Sequence, residues 1–581
     1  MTDLLKERIK SAQGKRPADK LIQNVFLVNV FNGKIEKSNI YIVGDSIARV
    51  SLSEKDDFLQ ADEIIPGDGK YIFPGLIDAH THIEMSFMSA ASFVEAVIRQ
   101  GTTGAVLDLH DIGNVGLQES IEFAKEIKAT PFRSQLMLPP CIPSAPGRED
   151  AGCEMDLRLM RKWLSEIDIH GIGETMDFMR VVDCETKMLE ILQEALDQGL
   201  LIEGHCPELM GEKLQAYAAA GVTSDHESVS LEEMLEKYRL GFKVILRRGS
   251  LEEPVNAKEF LDAIDNHSNV LLSTDGCIQL DTLVDEGTML KAVRDLVKEG
   301  VNPVTAIELG TINVARAHGL DHQIGVIAPG RKADMVMVED LKDFKLHSVF
   351  LGGVRIDEDF KTPRAQFSKE VLHSVKMLPV SEKDFFIPSK KQSEKVRVID
   401  VREDSLVTGC IVDTFWPSKG QIEADVARDY LKISVFDRYK ENGAYKNGFV
   451  HGFGFRKGAL AGTVAQDSQN MIVVGVQEED MALAVNYVIE KQGGIAYAAD
   501  GKISSFIPLP VGGIMNHTLR PAQLQAEFHK LSEAVKKEGG NFENPSFVLA
   551  FMLTCPVIPD LKITNRALIA ADTGKETSLF A

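Results

Sequence analysis

The segment PGLIDAHTHIE, residues 74–84, carries two imidazoles two positions apart, His80 and His82. If LIDAHTH is a strand, alternate side chains share a face and the two rings converge on one point. Converging imidazoles are a metal-ligand arrangement. Ligand-type residues recur further along, each after a short apolar or small-residue run and before a break. They are Glu174 in DIHGIGETMDF, His205 in LLIEGHCPE, His226 in GVTSDHES and Asp275 in NVLLSTDG. The chain has only 14 histidines in 581 residues, so four in such positions, with two carboxylates, read as one constellation. A carboxylate between two sets of imidazoles can bridge two divalent cations, and two cations sharing a water lower its pKa toward neutrality. A strand-end Asp beside that water can take its proton and deliver it to a leaving group. This is hydrolytic machinery for an electrophilic carbon, either a carbonyl or a C=N carbon bearing an amino group.

These residues need strand ends that point to a common centre. Between 67 and 322, apolar runs alternate with helix-like stretches: GTTGAVLDLH then LQESIEFAKEI, LLIEGHCP then GEKLQAYAAAG, FKVILRRG then EPVNAKEFLDAI. Repeated strand–helix alternation implies a parallel sheet with helical crossovers, and this length predicts a (β/α)8 TIM-like barrel, a fold whose catalytic groups gather at the C-terminal strand ends. Short-stranded patches at 21–66 and 325–356 flank it and predict one small β-sandwich domain, 1–66 plus 323–364, built from both ends. The polar, lysine-rich stretch 365–394 reads as a linker, and 395–581 as a further α/β unit, with MIVVGV leading into EEDMALAVNYVIEKQGG as strand, helix and terminating glycine.

Composition narrows the partners. The net charge of -22 repels phosphate backbones and argues against nucleic-acid binding. No signal peptide and no apolar run of about 18 residues is visible, so neither export nor a membrane span is expected. The seven cysteines are scattered without a CxxC pair and read as free thiols in a reducing cytoplasm. That leaves any metal to His and carboxylates. It also excludes the cytidine-deaminase type of zinc site, which needs P-C-x-x-C. APGRKAD at 328–334 lacks the phosphate-loop pattern and reads as a turn into a strand.

In this order the motifs resemble the amidohydrolase superfamily, and more narrowly its adenine deaminase family. The resemblance spans nearly the whole chain: PGLIDAHTHIE, GTTGAVLDLHDIGNV, GIGETMDF, EGHCPELMGEKLQAY, GVTSDHES and IGVIAPGRKADMVMVEDL. NGFVHGFGFRKGALAGTVAQDSQNMIVVG and LTCPVIPDLKITNRAL then resemble the C-terminal domain peculiar to that family. The resemblance implies that His80 and His82 ligate one metal, that Glu174 bridges two, that His205 and His226 hold the second, and that Asp275 coordinates and shuttles the proton. It implies two divalent ions per chain, manganese or iron, with zinc as a further option, a homodimer, and hydrolysis of adenine to hypoxanthine and ammonia by hydroxide attack at C6. Glu84, Ser86, His110 and Asp111 are the candidates for hydrogen bonds to the purine.

The chain departs from that pattern in places. Gly276 follows Asp275 where a second acidic residue is expected, and Gln466-Asp467-Ser468-Gln469-Asn470 stands for His-Asp-Ser-His-Asn. Met85 and Phe87 make the loop after His82 more apolar than the expected serine-rich version. The alternatives are a deaminase or cyclic-amide hydrolase for another heterocycle, such as a modified purine or a pterin, and a non-catalytic purine-binding paralogue.

Overall fold

A computed structural model describes residues 2–51, 60–249, 255–276, 278–403, 405–571 and 574–581. Cys277 and the first residues of EPVNAKEFLDAI lie outside them. Eight parallel strands occupy the centre of the chain: β1 (Leu76–Thr81), β2 (Thr102–Asp108), β3 (Arg133–Leu138), β4 (Ile169–Thr175), β5 (Leu201–Gly204), β6 (Ser224–Asp225), β7 (Lys243–Arg247) and β8 (Val270–Ser273). Strands β1 to β5 pair in sequence order, and so do β6 to β8. Backbone bonds join the two runs at both ends: Thr223 N donates to Ile202 O at 3.0 Å, and Asp275 N donates to His80 O at 3.0 Å. The result is the (β/α)8 barrel. Its strands are largely buried because both faces are covered. Ile77, Val106, Met137, Ile245 and Leu271, from five strands, pack with Val314 and Ala315 in one buried cluster.

Helices follow the strands around the barrel, among them Leu117–Ala129, Gly211–Ala219, Leu231–Arg239 and Met289–Lys298. In the last, Met289, Leu290, Ala292, Val293 and Leu296 form a buried stripe of helical period. Ser230 and Asn256 cap their helices by accepting from the N–H three residues on.

The small domain is one sheet contributed by both flanks. Its seam is Tyr71–Pro74 against Met335–Val338, antiparallel from Pro74↔Met335 to Tyr71↔Val338. The long strand Ala18–Asn29 pairs first with Ala61–Pro66 and then with Tyr71–Pro74. Asn24, at φ 59, breaks it between the two. The sheet encloses Ile22, Leu27, Ile40, Ile72, Met335, Met337 and Phe350.

The C-terminal unit is an eight-stranded sheet with helices Glu478–Glu490 and Pro521–Lys537. MIVVGV does run from strand Met471–Gly475 into the first of these helices, and Gly493 follows its end at φ 116. The segment 365–394 is ordered against its surroundings, with turns at Val371–His373 and Glu382–Phe385 and buried Val371 and Phe385.

This unit sits on the barrel mouth. Asn516 N donates to Phe87 O at 2.8 Å, and Ser89 N donates to Asn516 O at 2.9 Å. The Phe87 ring lies 4.7 Å from Phe528 and 5.5 Å from Phe551. The apolar character of the loop after His82 is thus an interdomain contact. Among the described residues, no helix is long and apolar enough to cross a membrane.

Candidate metal centre and substrate site

His80 lies on β1 and His82 just beyond it in extended conformation. Glu174 lies on β4, His205 and His226 follow β5 and β6, and Asp275 follows β8. All six meet. His80 Nε2 is 3.2 Å from His82 Nε2, and His205 Nδ1 is 3.3 Å from His226 Nε2. Glu174 stands between the pairs, 3.3 Å from His82 Nε2, 2.8 Å from His205 Nδ1 and 3.4 Å from His226 Nε2. Asp275 Oδ1 is 3.5 Å from Nε2 of both His80 and His82.

Two facing imidazole nitrogens cannot both be lone pairs at such distances without a proton or a cation between them. Buried nitrogens converging with carboxylate oxygens form a donor set that suits a divalent cation. Three groupings fit one: His80, His82 and Asp275; His80, Glu174 and His226; His205, His226 and Glu227. Burial alone would raise the Glu174 carboxyl, but His205, His226 and His82 hold it well below the usual range. Burial likewise opposes ionisation of Asp275, and His82, His226 and Arg247 reverse it.

Neighbouring side chains position this set. His80 Nδ1 faces Glu203 Oε2 at 3.4 Å, which leaves Nε2 for the centre. Asp108 Oδ2 accepts from Glu174 N at 2.7 Å. A Cβ on Gly173 would fall 2.0 Å from that oxygen, so only glycine admits the carboxylate. Tyr217 donates to Thr175 O at 2.7 Å and accepts from His205 N at 3.2 Å, tying the ends of β4 and β5 together. Fully buried Lys237 donates to Asp225 at 2.8 Å and to Cys206 O at 2.7 Å, fixing the turns that carry His226 and His205. Arg247 donates to Asp275 Oδ2 at 2.9 Å and pairs with Glu227.

The four substrate candidates divide. Asp111 lies beside the centre, with Oδ2 3.8 Å from His82 Nδ1. Burial raises it to about 6, against the pull of His82 and His110. Glu84 is buried next to it and raised to about 8 by burial and by Asp111; its Oε1 accepts from Ile112 N at 3.2 Å. His110 faces Asp467, which pushes it up to about 10 against its own burial. Ser86 does not turn toward the centre. Its hydroxyl donates to Ile83 O at 2.6 Å and accepts from Met88 N at 3.2 Å, closing the local turn.

Several functional neighbours lacked a recognised signal. Asp78 and Glu203 stand two residues before His80 and His205, a spacing that does place them on the same strand faces. Glu227 adjoins His226 and would point away in a strand, but β6 ends at Asp225 and frees it. Asp467 and Gln469, in the segment already noted as departing from the family pattern, reach the site from the C-terminal unit.

The departures also acquire reasons. Gln469 donates to Asp111 Oδ1, and its own Oε1 accepts from Ala465 N at 3.2 Å. Gly276 has φ +65, and a Cβ there would fall 2.7 Å from His82 O and 3.0 Å from His82 N. Gly276→Asp, which would supply the expected second acid, should therefore shift His82 and cut both metal content and turnover by roughly tenfold or more. Metal analysis beside an activity assay checks this; an unaffected variant would show that the turn yields freely.

Residues 71–356 match the amidohydrolase family, and residues 405–575 match the adenine deaminase C-terminal domain. Proteins named adenine deaminase are similar along the chain. That of Desulfatibacillum aliphaticivorans is 35% identical over 576 residues, covering 98% of this chain and 99% of the relative. That of Archaeoglobus fulgidus is 34% identical over 580 residues, covering 99% and 98%. With two matched domains around one converging His and carboxylate set, the chain belongs to the adenine deaminase family of amidohydrolases.

Proposed function

We propose that the protein hydrolyses adenine to hypoxanthine and ammonia. The observation that carries this reading is the convergence of His80, His82, Glu174, His205, His226 and Asp275 on one buried point beside His110 and Asp111, in a chain of this family. His80 and His82 would hold one divalent ion, His205 and His226 a second, and Glu174 both. The nitrogen and oxygen donors, without thiolate, suit manganese or iron, and admit zinc. Such ions, when bound, supply a water acidified toward neutrality and polarise the carbon it attacks.

The chain's own residues do the rest. Asp275, held by Arg247 at 2.9 Å, stands where it can accept a proton from attacking water and return it to the departing amine. Asp111 and His110 keep buried atoms without hydrogen-bond partners, Asp111 Oδ2 and His110 Nδ1, which suit the directional bonding of a neutral heterocycle. Phe87 packs against Phe528 and Phe551 of the C-terminal unit, in the loop that follows His82.

The test is ammonia release from protein reconstituted with Mn(II) or Fe(II), offered adenine beside modified purines and pterins. Release from adenine with hypoxanthine formed is the expected result. Release only from another heterocycle would move the substrate, and Gly276 and Gln469 would be the positions to examine. Bound metal with no release from any of them would favour a binding protein.

A further inference from the structure

The C-terminal unit places one carboxylate inside the barrel mouth. Asp467 is 2% exposed, and both of its oxygens meet barrel side chains. Oδ2 accepts from Ser144 Oγ at 2.6 Å and from Cys555 Sγ at 3.4 Å. Oδ1 faces His110 Nε2 at 3.5 Å. Ser144 comes from the chain after β3 and also lies 2.9 Å from Glu149 Oε1, so the carboxylate is held on the side away from His110.

His110 is 1% exposed and opens the short helix His110–Val115 just past β2. Asn114 Nδ2 approaches the same Nε2 at 3.5 Å. Nδ1 is buried without a hydrogen-bond partner, and the ring meets that of His82 edge-on, with centroids 6.3 Å apart. An imidazole with one nitrogen engaged has one left for a ligand, and the engaged partner sets its tautomer and orientation. Here the remaining atom belongs to a ring packed against a proposed metal ligand.

We propose that Asp467 is a positioning residue for substrate, orienting His110 so that Nδ1 bonds one ring nitrogen of the purine. This rests on the purine reading above. It makes heterocycle recognition a property of both domains, since the barrel supplies the imidazole and the C-terminal unit fixes it.

Titration calorimetry of the metal-loaded protein with hypoxanthine and its 1-, 3-, 7- and 9-deaza analogues tests that bond one nitrogen at a time. The wild type should bind one analogue about tenfold more weakly than hypoxanthine. Asp467→Asn should bring that ratio to within about twofold with metal content unchanged. An unchanged ratio overturns the proposal, as does an equal loss of affinity for hypoxanthine and every analogue, which is what a purely structural role gives. If Asp467→Asn does not fold, His110→Gln decides by the same ratio. A wild type that neither deaminates adenine nor binds hypoxanthine overturns both this proposal and the purine reading. A wild type that does both, with an undisturbed ratio in the variant, overturns this proposal alone.

Discussion

Glu174→Gln should yield folded protein that has lost most of its bound metal and releases ammonia roughly a thousandfold more slowly, or less. The carboxylate is 4% exposed and lies within 3.4 Å of three imidazole nitrogens from three strand ends. Gln keeps the volume, so Asp108 can still anchor the Glu174 backbone N–H and the strand end should hold. The substitution exchanges an ionised oxygen for an NH2 group, which has no lone pair to offer a cation. It also removes the negative charge that offsets positive charge in the cluster. Plasma emission spectrometry, circular dichroism and an ammonia assay on one preparation separate the outcomes. Full metal content with normal turnover would remove Glu174 from the ligand set. Loss of the folded spectrum would make it a structural residue first.

Asp275→Asn should act differently, keeping most of the metal while slowing turnover by about 10²- to 10⁴-fold, as loss of a proton carrier does. The backbone at Asp275 has φ 56, a left-handed conformation that Asn tolerates as well as Asp. The amide can still accept from Arg247 through its oxygen. What it cannot do is take up a proton and give it back. Comparing kcat with metal occupancy decides the role. An unchanged kcat would reject it, and a rate that falls only in step with lost metal would reduce Asp275 to a ligand.

The six central residues were legible because each obeys a local rule. An apolar run that stops at a His or a carboxylate marks a strand end, and a barrel brings its strand ends together whatever their distance in sequence. His80 and His82 meet because the backbone stays extended for one residue past β1. What was not legible is what holds them. Glu203, in LLIEGH, faces His80 across 123 positions, a pairing that nothing local to either residue signals. Gln469 and Asp111 are 358 positions apart, and no periodicity in either segment announces the pairing. Ser86 looked like a hydrogen-bonding group for substrate because its residue type permits it, yet the tight turn Ile83–Ser86 leaves its backbone acceptor nearer. Phe87 looked like a change of pocket chemistry and is a packing contact, which only the far domain explains.

The ribbon joining Phe87 and Ser89 to Asn516 sets the order in which the enzyme can be completed. During synthesis the barrel leaves the ribosome first, and domains begin to fold as they emerge. The stretch following His82 lacks the partner for its backbone groups until residue 516 has emerged, and Phe87 lacks its aromatic neighbours until residues 528 and 551 follow. A nascent barrel therefore carries an uncovered, hydrophobic rim beside its six converging ligands until residues 516 to 551 have been made. Residues 516 to 551 seat that rim, so the site is completed only once the C-terminal unit has folded onto the barrel.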